Sequence, residues 1–199
     1  MDLSEYTHLV MPSGSYSGIN SNGTGEIEHW LDNGGTIIAL NSANRWLQGR
    51  KLADISFRET PADTSGILPY RDLSLNRGAQ GIPGSIFEAH LDITHPIGFG
   101  MHRSRIPVFR NSSLIASPVN RPYAQPLRYT DDPLLGGYVP ASTYEILRNS
   151  PGIVISSRGS GKVISFVDDP NFRAFWYGTN RLFINAVFFG PIISSASTR

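Results

Sequence analysis

The chain has 199 residues, 40% hydrophobic and 17% charged, with 17 basic against 16 acidic side chains and a net charge of +1. That size and composition suit one packed domain and exclude a disordered chain. A charge so near neutrality excludes a nucleic-acid or membrane-surface binder working by long-range attraction.

No cysteine is present, which removes disulfides, thiolate metal sites and a cysteine nucleophile together. Only Lys51 and Lys162 are lysines; the other basic residues are arginines, whose planar forks suit fixed hydrogen-bonding roles. No apolar run approaches the roughly 20 residues that span a bilayer. The opening "MDLSEYTHLV" lacks the basic start and apolar stretch of a signal peptide. It leads almost at once into a strand, as expected of a piece cut from a longer protein.

In chain order, "THLVMP" reads as a short buried strand ending at Pro12, and "SGSYSGINSNGTG" as a loop of small residues. "TGEIEHWLDNGG" reads as a helix with Thr24 as N-cap, Glu26 and Glu28 in the first turn and Gly34 as its stop. Ile27, Trp30 and Leu31 form one apolar stripe on it. "TIIAL" follows as a strand buried on both faces. Strand, crossover helix and strand make a βαβ unit, so the predicted fold class is α/β: three layers around a mainly parallel sheet, flavodoxin-like in the broad sense.

From Asp54 to about Pro151 prolines and glycines are frequent and helical periodicity is missing. "SIFEAHLD", "IPVFR" and "SLIAS" read as short strands in an irregular middle insertion laid over the sheet's edge or top. "ASTYEILRNS" reads as a short helix. "GIVISSRGSGKVISFVDD" reads as a hairpin of two β-branched runs about "SRGSG". The closing "TNRLFINAVFFG" reads as a helix with Thr179 as N-cap, Gly190 as stop, and Leu182, Phe183, Ala186, Val187 and Phe189 on its buried side. There is no internal repeat and no second core, so residues 1–199 are expected to form a single domain.

Candidate chemistry is sparse. Among His8, His29, His90, His95 and His102 no pair has standard zinc spacing. His90, Asp92 and His95 come nearest to a ligand cluster, and structural histidines are the preferred reading. Ser42, two residues beyond "TIIAL", stands where a nucleophile elbow would sit, but Asn41 and Asn44 occupy positions where glycines are usual. The later strand "VISFV" ends in Asp168-Asp169-Pro170, with no histidine to act as base. A turn or cap role for Ser42 is therefore preferred over a serine hydrolase. "SRGSGK" and "SGSYSG" lack P-loop spacing. Asp168 and Asp169 lie at a strand's C-terminal end, where α/β folds bind ligands, with Arg173 near enough to pair with one of them. The segment "DDPNFRAFWYGTN" reads as a structural corner tied down by Arg173. The competing reading is a peptide or glycan surface built on Asp168, Asp169, Arg173 and Trp176.

The run "GKVISFVDDPNFRAFWYGTNRLFINAVFFGP", with "IPGSIFEAHLDITHPIGFGM" and "YTHLVMPSGSY", resembles the C-terminal domain of a bacterial group of zinc carboxypeptidase-like proteins of the carboxypeptidase A superfamily. The resemblance covers nearly the whole chain. It implies a class I glutamine amidotransferase-like domain following an N-terminal zinc peptidase domain that holds the metal ligands, in a periplasmic or secreted protein. Carried over by residue, that fold's elbow cysteine falls on Ser42 and its histidine-proline on Asp169-Pro170. Both catalytic groups are thus replaced. The implied function is a non-catalytic accessory domain that supports the peptidase or its substrate selection. The alternatives are a hydrolase or amidotransferase relative using Ser42, or a peptide- or glycan-binding module.

Overall fold

The computed structural model describes residues 2–60, 69–72, 79–121 and 123–194. β1 (His8–Met11) leads through the Gly/Ser loop into α1 (Ser21–Asp32), and β2 (Thr36–Leu40) returns parallel to β1 with Ile37 beside Leu9. All of β2 is buried, as its unbroken apolar run requires. The helix starts earlier than its apolar stripe suggests. Asn20, not Thr24, is the N-cap, its side chain accepting the Gly23 N–H at 2.9 Å. Glu26 and Glu28 therefore lie beyond the first turn. Thr24 turns its hydroxyl back onto the Asn20 carbonyl at 3.0 Å, the usual habit of a threonine inside a helix. Gly34 ends the unit as expected, with a left-handed φ of 109°.

Beyond it come α2 (Ala43–Gly49), β3 (Phe57–Arg58), β4 (Ser85–Leu91), β5 (Arg105–Arg110), β6 (Ile115–Ala116) and β7 (Leu127–Gly136). α3 (Ala141–Leu147), β8 (Pro151–Arg158), β9 (Gly161–Phe166) and α4 (Tyr177–Phe189) complete the chain. Seven strands form one sheet in the order β1-β2-β9-β8-β7-β4-β5, and β3 pairs with β6 apart from it. β1, β2 and β9 run parallel, while β9/β8, β8/β7, β7/β4 and β4/β5 are antiparallel.

The sheet is therefore mixed rather than mainly parallel, and the middle segment is not an insertion laid over it. β4, β5 and β7 continue the sheet itself. The cause is visible in β4, where buried Ser85, Phe87, Ala89 and Leu91 alternate with half-buried or exposed Ile86, Glu88 and His90. That period of two suits an antiparallel strand with one open face. β7 escapes sequence reading because "LRYTDDPLLG" mixes two aspartates and a proline into a strand whose register with β4 slips twice.

Alternate residues of the central strands face opposite ways. Ile37, Ala39, Val154 and Val163 pack with Ile27 and Leu31 of α1 and Ala43 and Leu47 of α2. Ile38, Leu40, Ile155, Ile164 and Phe166 pack with Leu182 and Ala186 of α4, Leu147 of α3, and Phe87 and Tyr129 of the antiparallel strands.

The β8–β9 hairpin closes as read, with Arg158 opposite Gly161 and Gly159 at φ 53°. α4 begins at Tyr177, so Thr179 is inside it rather than its N-cap; the buried hydroxyl donates to the Pro170 carbonyl at 2.9 Å. Gly190 keeps right-handed backbone (φ −50°, ψ −49°) as the chain passes into a 3-10 turn. Its missing side chain matters for packing, since a Cβ there would stand 2.9 Å from Ile164 Cδ1. Among the described residues no helix is long and apolar enough to cross a membrane.

Candidate functional site

The turn after β2 is where a nucleophile would stand. Asn41, not Ser42, takes the strained left-handed backbone, with φ 48°, while Ser42 has ordinary helical geometry at φ −64° and ψ −19°. A nucleophile elbow places its reactive residue at the strained position, and in this turn that position holds Asn41 rather than the expected Ser42. Ser42 Oγ accepts the Gly14 N–H at 2.9 Å, shares a hydrogen bond with Ser13 Oγ at 3.0 Å and reaches the Gly14 carbonyl at 3.2 Å. Each partner belongs to the loop after β1, and none is a general base. Buried Asn44 fastens the turn, its Nδ2 donating to the carbonyls of Asn41 at 3.0 Å and Phe166 at 2.8 Å. The Asn44 side chain and the Asn41 N–H, which also donates to the Phe166 carbonyl, thus bind the turn to the end of β9.

Asp168 lies inside the protein, not on a ligand surface. Fully buried Arg110, at the end of β5, donates from Nη1 to Asp168 Oδ1 at 2.9 Å. The hydroxyl of Tyr129 on β7 donates to Asp168 Oδ2, and the second Arg110 nitrogen donates to the Leu114 carbonyl. The guanidinium carbon also stands 5.5 Å from the Tyr129 ring centroid. Burial pushes the Asp168 carboxyl above its ordinary range against the pull of Arg110, and pushes the Tyr129 phenol well up, so that phenol stays a donor. The cavity beside Asp168 is about 10 Å³, room for no more than one water. Arg110 and Tyr129 gave no signal in the sequence, because sheet order alone brings β5 and β7 to the end of β9.

The expected pairing of Arg173 with Asp168 or Asp169 is therefore corrected: Asp168 is taken by Arg110, and Arg173 is exposed, with left-handed backbone (φ 50°) and its guanidinium 5.2 Å from the Phe172 ring centroid. Asp169 accepts the Asn171 N–H at 2.9 Å and so closes the turn at Pro170. Phe172 stacks on Phe109 of β5 at 4.1 Å, and Trp176 stands 6.0 Å from the same ring. These two rings cover β5, as a structural corner should, while Phe175 is 56% exposed and covers nothing comparable.

His90, Asp92 and His95 do not converge. His90 is exposed on β4. Asp92 accepts from Thr94 twice, at 2.9 and 2.6 Å, and buried His95 accepts the Ile97 N–H at 3.1 Å, capping a short 3-10 turn. Asn185 of α4 holds that turn from the other side, donating to the carbonyls of Ile97 and Phe99 at 2.8 Å each. Among the described residues no group of three His, Asp or Glu is placed to hold a metal.

No family model and no curated protein matches the sequence. Solved structures do. A cytoplasmic protein from Salmonella typhimurium aligns with 94% of this chain and 72% of its own length, at 15% identity and a TM-score of 0.54. A ThuA-like protein from Bacteroides uniformis aligns with 93% of this chain and 69% of its own, at 14% identity and a TM-score of 0.51. Another, from Parabacteroides merdae, aligns with 84% of this chain and 61% of its own, at 13% identity and a TM-score of 0.50. At such identities the likeness shows an α/β fold and nothing of the chemistry. None of the three is named for a peptidase.

Proposed function

We propose that this chain is a non-catalytic accessory domain, a three-layer variant of the class I glutamine amidotransferase-like fold, acting beside a zinc carboxypeptidase-like domain of the same protein. The observation that carries the reading is the turn after β2. Its strained position holds Asn41, which has no nucleophile to offer, and the neighbouring hydroxyl of Ser42 is engaged by Ser13 and Gly14. At the position carried over for the amidotransferase histidine stands Asp169, whose carboxylate closes a turn. Acyl transfer needs a base within hydrogen-bond reach of the nucleophile, and these residues supply none.

A packing role draws support from α4. Ile184 and Phe188, one turn apart on α4, are 47% and 71% exposed, and Ile192 in the 3-10 turn after it is 70% exposed, apolar side chains that water does not favour. The zinc implied by the resemblance would sit in the peptidase domain.

Two measurements test the reading. The chain is incubated with glutamine and with nitrophenyl esters, beside Ser42→Ala; the expected result is background hydrolysis from both proteins. Ester or amide turnover that Ser42→Ala abolishes would make the domain a serine enzyme. The zinc peptidase domain is then titrated with this chain and with Phe188→Asp. Saturable association weakened by Phe188→Asp is expected, and no association overturns the accessory role.

A further inference from the structure

A cleft of about 540 Å³ opens between α2 and residues 57–60, lined by Arg45, Gln48, Phe57, Arg58, Glu59 and Thr60. Its volume lies in the range of small-molecule sites, roughly 300–1,000 Å³. α2 sets one wall, because Arg45 and Gln48 are three residues apart and share a face of the helix. The short strand β3 and the residues after it set the other.

Arg45 and Arg58 line the same cleft, which sets them apart from the other arginines without a carboxylate partner among the described residues, such as Arg50, Arg128, Arg173 and Arg181. Arg71, Arg105, Arg110, Arg121, Arg148 and Arg158 each pair with a carboxylate. Neither Arg45 nor Arg58 forms an ion pair among the described residues, although Glu59 lines the same cleft. Arg45 is held instead by the Phe57 ring, its guanidinium carbon 5.7 Å from the centroid. Such face-on contact positions a guanidinium and leaves its in-plane N–H groups for another partner. Arg58 donates from Nη1 to the Ile146 carbonyl at 2.7 Å, a group left over near the C-terminal end of α3. That bond orients the fork without cancelling its charge.

We propose that this cleft is an oxyanion-binding site, in which Arg45 and Arg58 grip the carboxylate or phosphate group of a small polar ligand. Two oriented forks match the planar oxygens of a carboxylate or the edge of a phosphate. Gln48 and Thr60 bond the neutral polar part of the ligand, and the Phe57 ring supplies an apolar contact. The site is separate from the turn at Ser42, whose partners Ser13 and Gly14 are not among its lining residues. It is also independent of the accessory-domain reading, since the chain alone would bind.

Isothermal titration of the chain at constant, low ionic strength tests this with two probes, sodium phosphate and sodium succinate. Saturable one-site binding of at least one probe is expected, with Kd of about 1 mM or tighter. Arg45→Gln, at an exposed position that leaves the core intact, is expected to weaken that binding about tenfold or more. Arg181→Gln, outside the cleft, is expected to leave it unchanged. Binding of phosphate alone assigns a phosphate ligand, binding of succinate alone a carboxylate, and binding of both the shared chemistry. No saturable binding of either probe overturns the proposal. So does binding that Arg45→Gln leaves intact, or that both variants weaken equally.

Discussion

On the parallel side of the sheet, β2 and β9 are buried from end to end, and α1, α2 and α4 close both faces with apolar contacts. On the antiparallel side, β4, β5 and β7 alternate buried with open positions. There β7 pairs with β8, and Phe87 and Tyr129 share an apolar cluster with the parallel strands. Arg110, Tyr129 and Asp168 add a buried polar link from β5 to the end of β9. Apolar burial is non-directional, so it tolerates exchanges of similar volume. A buried ion network is directional, and losing one member strands the others away from water. The same sheet therefore contains one half that degrades gradually and a join that fails as a unit.

The largest expected effect breaks that join. Arg110→Met leaves the Asp168 carboxyl buried without its partner and is expected to cost about 3–5 kcal/mol in urea unfolding. Adding Asp168→Leu to it should recover much of the loss, because no buried charge is then left over. A double variant as unstable as the sum of the single ones would show that packing, not charge, governs the join. Ile38→Val, on the same face in the parallel half, should cost only about 0.5–1.5 kcal/mol.

A smaller effect comes from His95. Burial holds its pKa below the ordinary 6.5, with ionised Asp92 pulling weakly the other way. A depressed histidine contributes stability above the unfolded value of 6.5, and this is lost as pH falls, because the unfolded chain takes up the proton first. The Tm is expected to drop between pH 7.5 and 5.5, and to drop less in His95→Asn, whose side chain still accepts from the Ile97 N–H but does not titrate. Equal slopes for both proteins would remove His95 from the account.

The smallest effect is at the open face of β4. Arg105 and Glu88 form a 2.9 Å pair there, with 68% of the arginine side chain exposed. Solvent and side-chain entropy offset most of such a contact, so Glu88→Gln should change stability by about 0.5 kcal/mol or less in the same urea titration. A loss as large as that of Arg110→Met would mean that the antiparallel half depends on its surface ions.

The β1-α1-β2 unit, the β8–β9 hairpin and the two later helices were legible in the sequence because each is written in local periodicity: a continuous apolar run, a stripe at helical spacing, a glycine at a turn. The corner at Asp169-Pro170 was legible for the same reason, since an aspartate and a proline make a turn with their own neighbours. Three features were decided only by the tertiary structure. β7 is a strand because β4 and β8 lie ready to pair with it, against its own aspartates and proline. Asn41, rather than Ser42, takes the left-handed backbone because Asn44 and the Phe166 carbonyl fix where the chain must bend. Asp168 is neutralised by Arg110, 58 residues earlier, and not by the nearby Arg173, because the order of strands in the sheet, which no local pattern encodes, brings the end of β5 to the end of β9.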